Sequence, residues 1–130
     1  MRGVESARAR GAAGEAQAAD YLAAQGMEIV ARNFSIRGGE IDLIAQDGAY
    51  IVFIEVKMRT GAYGGLGREA VTAAKQRRIC RAAMQYLIQN ALTNRFVRFD
   101  VVEIQNGTLT HIKNAFPYIE EGKKRCVRFV

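Results

Sequence analysis

The sequence has two cysteines, one histidine and no long apolar run, and each shortage removes a class of protein. Cys80 and Cys126 are too few for a disulfide framework, which points to a reducing, cytoplasmic setting. One histidine with two distant cysteines does not make a zinc site. His111 alone, in a strand-like segment, reads as a packing or hydrogen-bonding residue rather than as part of a Ser/His/Asp triad. The apolar run Tyr50–Ile54 falls far short of the roughly 20 residues needed to span a bilayer. The N-terminus is rich in Ala and Arg, but it has no apolar core segment and is interrupted by Glu5 and Glu15. Neither secretion nor a membrane partner is expected. There is no Gly-x₄-Gly-Lys-Ser/Thr, so a P-loop nucleotidase is excluded. Gly65-Leu66-Gly67-Arg68-Glu69-Ala70 fits Gly-x-Gly-x-x-Ala, but it starts too far after the preceding strand for a dinucleotide fold. A hinge, or a loop that lets nucleic acid approach, is the better reading.

What is present is an ordinary globular composition, 49% hydrophobic and 25% charged, over 130 residues. That length suits one domain with a real core. Nineteen Lys and Arg against thirteen Asp and Glu leave a net charge of +6, which suggests an anionic partner. Ala-rich residues 7–25, ended by Gly26, predict a first helix. Ala12, Glu15, Ala19 and Leu22 share one side of it, so Glu15 projects from the apolar face. Three strand-like runs follow, Glu28–Phe34, Glu40–Gln46 and Tyr50–Arg59, with breaks at Gly38-Gly39 and Asp47-Gly48. Asp-Gly between apolar runs predicts an antiparallel hairpin. Gly61–Gly67 reads as a mobile loop. A second helix is expected over Arg68–Asn90, burying Ile79, Cys80, Ala83, Tyr86 and Leu87. Phe96–Gln105 and Leu109–Phe116 are expected strands around an Asn106-Gly107 turn. The third strand, second helix and fourth strand make a βαβ unit with parallel strands. The fold class is therefore α/β, order αβββαββ, with a mixed sheet of about five strands flanked by helices. Residues 1–116 form one domain, and 117–130 form an extension, either an edge strand or a basic arm.

The chemistry lies in the hairpin. Glu55 and Lys57 stand two apart and share a face, as do Glu40 and Asp42. The turn at Asp47-Gly48 brings Asp42 beside Glu55. Paired carboxylates repel unless a cation lies between them, and hard oxygen ligands select Mg²⁺ or Mn²⁺. With a nearby lysine, this set suits metal-assisted phosphodiester hydrolysis. Taken alone, Glu-x-Lys in a strand is more often a solvated or ion-paired surface. The weight shifts because these charges interrupt central apolar strands, converge through a tight hairpin and are faced by Glu15.

Gly14-Glu15, Arg32-Asn33, Gly39-Glu40-Ile41-Asp42-Leu43-Ile44-Ala45, Val52-Phe53-Ile54-Glu55-Val56-Lys57-Met58-Arg59, Arg98-Phe99-Asp100-Val101-Val102 and His111-Ile112-Lys113-Asn114-Ala115-Phe116 resemble the YraN-like family of small bacterial proteins. The likeness runs in unbroken order from about Gly11 to Phe116. That family is similar to the PD-(D/E)xK, restriction-endonuclease-like nucleases, whose members include Holliday junction resolvases and RecB-type nuclease domains. The resemblance implies Asp42 as the motif's Asp, Glu55 as its second acid, Lys57 as its lysine and Glu15 as an extra acid from the first helix. It further implies the Val56 backbone carbonyl as a metal ligand. Ile41, rather than Pro, precedes Asp42.

The second helix adds a basic stripe. Arg68–Asn90 carries five basic residues and one acid, net +4, whereas Met27–Arg59 is −1. Arg77, Arg78 and Arg81 group together with Lys75 on their flank, and such a stripe can track phosphates. In related nucleases a residue of this helix reaches the active site, and Lys75 and Gln76 are the candidates. Arg59 completes the expected nucleic-acid contacts. The leading expectation is a Mg²⁺- or Mn²⁺-dependent endonuclease acting on nucleic acid, DNA and branched or repair intermediates in the first place. The rivals are a nucleic-acid-binding protein that keeps the fold without chemistry, and an interaction protein using its sheet edge or tail. A homodimer is compatible with the sequence.

Overall fold

The computed structural model describes residues 7–59, 71–120 and 125–127. In chain order they form α1 (Ala7–Ala24), β1 (Glu28–Ile36), β2 (Gly39–Asp47), β3 (Tyr50–Arg59), α2 (Ala73–Gln89), β4 (Phe96–Gln105), β5 (Thr108–Ile112), β6 (Tyr118–Glu120) and β7 (Arg125–Val127). The expected αβββαββ order is present, followed by a short hairpin.

Strands β1 to β5 make one sheet in sequence order. Its pairings are antiparallel except for β3 with β4, which run parallel across the α2 crossover. The turns follow from local chemistry. Gly48 takes φ 61° between β2 and β3, and Asn106 and Gly107 take 51° and 82° between β4 and β5, a left-handed pair that Asn-Gly favours. α1 ends where Gly26 reaches φ 98° and the Met27 N–H bonds the Leu22 carbonyl at 3.1 Å, a Schellman-type stop.

Each helix covers one face of the sheet. Ala18, Ala19 and Leu22 of α1 pack on Leu43, Val52, Ile54 and Val102. Ile79, Ala83 and Leu87 of α2 pack on Ile44, Phe53, Phe99 and Val101. β3 and β4 are thus buried on both sides, as the continuous apolar run Ile51–Ile54 of β3 requires. Within α1 the buried line is Gly14, Ala18 and Leu22, whereas Ala12, expected on that side, is exposed.

Three boundaries differ from expectation. α2 begins at Ala73 rather than Arg68, because the Thr72 hydroxyl accepts the Lys75 N–H at 3.1 Å and caps the helix. Residues 60–70, including the glycine-rich Gly61–Gly67, lie outside the described residues. β1 continues to Ile36, whereas β5 stops at Ile112. Asn114 turns the chain at φ 55°, and Phe116 then stacks on Phe99 with ring centres 5.2 Å apart. The tail forms its own antiparallel pair, β6 with β7, rather than adding to the main sheet. Tyr118 is buried in the α2-side core, and the Ile119 N–H reaches the buried Cys80 Sγ at 3.3 Å.

Candidate active site

Two glycines set how closely the helices approach the sheet. A Cβ on Gly14 would collide with the Met58 side chain, and one on Gly39 would collide with the Arg78 carbonyl oxygen. α1 is thereby pressed against the end of β3, and α2 against the start of β2. Glu15 and Lys75, one from each helix, arrive at the same end of the sheet. There the β2–β3 ladder stops, its last pair being Leu43 with Ile54. The next opposite residues are Asp42 and Glu55. Instead of continuing the ladder, Asp42 Oδ2 accepts the Val56 N–H at 2.7 Å. Ile41 and Ile44, three apart, pack in one cluster, so strict alternation is broken at Asp42.

The two acids sit in different electrostatic states. Glu55 is buried, and its Oε2 lies 2.7 Å from Lys75 Nζ and 3.4 Å from Lys57 Nζ. Among the described residues no cation forms an ion pair with Asp42, which feels the Lys75 charge only from a distance. Burial pushes its pKa up to about 7, the Glu55 charge adds to this, the Val56 N–H opposes it, and Glu15 raises it further by charge and by a hydrogen bond to the carboxyl. The lysines also divide. The Lys57 pKa is lowered by burial and by its hydrogen bond with Lys75, against the attraction of Glu55. Burial works against the charge of Lys75, yet its hydrogen bond and attraction to Glu55 leave its pKa raised. Lys75 is a fixed cation, and Lys57 is the amine more ready to lose a proton.

Among the described residues, no group of three His, Cys, Asp or Glu side chains can hold a metal ion. The two carboxylates brought together are Asp42 and Glu55, and Glu15 hydrogen-bonds Asp42. Mg²⁺ is commonly held by one or two carboxylates, with water and substrate phosphate filling the other positions. A cation at Asp42 would also reverse the like-charge repulsion that raises its pKa.

The basic residues are placed as follows. Lys75 reaches the acids, as expected of one residue of this helix. Gln76 does not: its Nε2 donates to the Val71 carbonyl at 3.0 Å and fastens the entry to α2. Arg77, Arg78 and Arg81 are exposed, and Arg81 Nη1 donates to the Gly38 carbonyl at 3.0 Å. Arg59 Nε lies 2.6 Å from Glu103 Oε2, an ion pair with a buried acid. Sequence reasoning missed Glu103, because only the parallel register, which sets Lys57 opposite Glu103, brings β4 beside this end of β3. It also gave no role to Glu40, which is exposed where the β1–β2 hairpin meets α2.

A mixed five-strand sheet between two helices, with an Asp and a Glu-x-Lys on adjacent strands, is a restriction-endonuclease-like fold. The chain belongs to the uncharacterised protein family UPF0102, which residues 14–104 match, the YraN-like family anticipated from its motifs. The UPF0102 protein of Symbiobacterium thermophilum is 55% identical over 97 residues, spanning 75% of this chain and 82% of that relative. That of Lachnoclostridium phytofermentans is 48% identical over 103 residues, 78% of this chain and 87% of the relative. That of Geobacter metallireducens is 44% identical over 110 residues, 82% and 90% respectively. No helix among the described residues is long and apolar enough to cross a membrane.

Proposed function

We propose that this protein is a divalent-metal-dependent phosphodiesterase acting on nucleic acid, with DNA, including branched or repair intermediates, as the substrate to test first. The observation that carries this reading is the meeting of Asp42, Glu55, Lys57 and Lys75 where β2 and β3 part. Bound Mg²⁺ or Mn²⁺ would supply Lewis acidity and acidify water. Asp42 and Glu55 would hold the ion, and the Val56 carbonyl would offer a further oxygen. In the metal-free site Glu15 hydrogen-bonds the protonated Asp42, a bond that metal binding would replace. Lys57 orients the attacking water and stabilises the transition state. Lys75 stays charged and neutralises a phosphate oxygen. Arg78, exposed on α2 beside the cavity that Lys75 also lines, contacts a neighbouring phosphate.

The test is cleavage of linear, nicked, flap, single-stranded and four-way DNA, and of RNA, with Mg²⁺ or Mn²⁺. Cleavage of at least one substrate, abolished in Glu55→Ala, is expected. No cleavage across the panel, or equal cleavage by the variant, would sink the reading. Binding without chemistry is the second reading. It is favoured by the Lys75 ammonium already sitting on Glu55, and it requires salt-dependent nucleic-acid binding indifferent to Mg²⁺.

A further inference from the structure

Arg77 and Arg78 are adjacent and both exposed, yet they border different cavities. Successive helical residues are turned by about 100°. Arg78 accordingly faces the β1–β2 hairpin, where with Lys75, Ser35 and Glu40 it lines a cavity of about 380 Å³. Arg77 faces the other flank, where a cavity of about 220 Å³ is lined by Met84, Ile88 and Tyr118. The basic stripe thus borders two cavities, and Arg81 lies between them, lining the second and donating to the Gly38 carbonyl beside the first.

Building on the phosphodiesterase reading, we infer that the cavity between the β1–β2 hairpin and the first turns of α2 is a one-nucleotide subsite, holding the nucleotide next to the scissile phosphate. Its chemistry is divided in the way a nucleotide is divided. Lys75 and Arg78 supply two cations, and Ser35 a hydroxyl, for a phosphate. Ile36 and Ile79 contribute an apolar surface for the sugar or base. Glu40 accepts from a base amino or sugar hydroxyl, and its charge rejects a second phosphate. Lys75 links this cavity to the acids, since its ammonium lies 2.7 Å from Glu55. The volume falls at the lower end of the roughly 300–1,000 Å³ of small-ligand sites. That is room for one nucleotide. Gly39 makes the cavity's fixed wall, because α2 rests directly on its backbone.

The test is fluorescence anisotropy with a short fluorescein-labelled single-stranded DNA in EDTA. Arg78→Ala should weaken binding about tenfold and flatten its salt dependence by about one counterion. Arg77→Ala, an equal loss of charge one residue away, should cost less than about threefold by the same reasoning. Ser35→Phe fills the cavity without altering charge and should weaken binding about as much as Arg78→Ala. Equal losses for Arg77→Ala and Arg78→Ala, normal binding by Ser35→Phe, or no binding by the wild-type protein would each overturn the subsite. With no metal present, the outcome is independent of cleavage. A protein that binds in this way and cuts nothing keeps the subsite and loses the phosphodiesterase reading. One that cuts but loses equally at both arginines does the reverse.

Discussion

Asp42 and Asp100 are both carboxylates set among apolar residues in the sheet, and their surroundings are opposite. Asp100 has a fully buried side chain whose oxygens meet Arg98 Nε at 2.9 Å, Arg98 Nη2 at 3.0 Å, His111 Nε2 at 2.8 Å and the Asn114 N–H at 2.9 Å. Burial raises its pKa, yet the bonds from His111, Arg98 and Asn114 outweigh this and hold it below the usual carboxylate range. Arg98 continues to Asp47 at 3.2 Å, tying β4 to the β2–β3 turn. Asp42 receives one backbone N–H and faces two further acids, so its pKa rises to about 7. The satisfied cluster fastens strands together. The frustrated one is a place where stability is forgone and a cation would be welcome.

The largest break in this comparison should come from Asp100→Ala. Removing it leaves the buried Arg98 with Asp47 alone and takes the partner from His111 and the Asn114 N–H, at a cost of about 3–5 kcal/mol. Urea unfolding measures it, and a loss below about 1 kcal/mol, the level of an exposed pair, would erase the distinction.

Next comes pH. The folded-state pKa of Asp42 is raised from 3.8 to about 7, so its stabilising contribution is full below the unfolded value and lost as pH rises through about 7. Asp100 acts in the other direction, stabilising above its unfolded pKa and losing that effect as pH falls through its lowered folded value. In metal-free protein, Asp42→Asn should match the wild type near pH 4 and exceed it near pH 8 by on the order of 2 kcal/mol. Unfolding at the two pH values decides this, and an Asn variant that is no more stable near pH 8 contradicts it. Mg²⁺ should correspondingly raise the wild-type melting temperature more near pH 8 than near pH 6, because protons and metal compete for Asp42.

The smallest stability effect belongs to Lys75→Gln. The lysine side chain is 36% exposed, so breaking its pair with Glu55 should change stability by less than about 1 kcal/mol. The sharper readout is Lys57. With the Lys75 charge and hydrogen bond gone, its lowered pKa should move back toward its ordinary value, which NMR of the lysine ε-carbons follows. An unmoved Lys57 would show that burial alone sets it.

Much of this was legible in the sequence because the signals are local. Asp47-Gly48 placed the hairpin, and the hairpin places Asp42 opposite Glu55. Asn106-Gly107 placed the last turn of the sheet. The lone His111 read as a packing or hydrogen-bonding residue, and it bonds Asp100. The start of α2 was misjudged because Ala70, Ala73 and Ala74 extend a helical composition backwards, whereas the Thr72 cap determines the first turn. Gln76, beside Lys75 in sequence, was an equal candidate to reach the acids. Only the packing of α2 turns one toward Glu55 and the other toward Val71. Arg59 looked like a phosphate contact, since nothing near it in the chain announces Glu103.

By itself, the sequence determined the order of elements, the hairpin register and the pairing of acids it produces, because period and turn chemistry act over a few residues. The tertiary structure alone decided which lysine of α2 meets Glu55, which partners neutralise Asp100 while Asp42 is left frustrated, and how Arg77 and Arg78 part to separate cavities. Those outcomes depend on how closely two helices settle on the sheet, at Gly14 and Gly39, and on contacts between residues far apart in the chain. Charge composition constrains the number of cations; only packing assigns each one its anion.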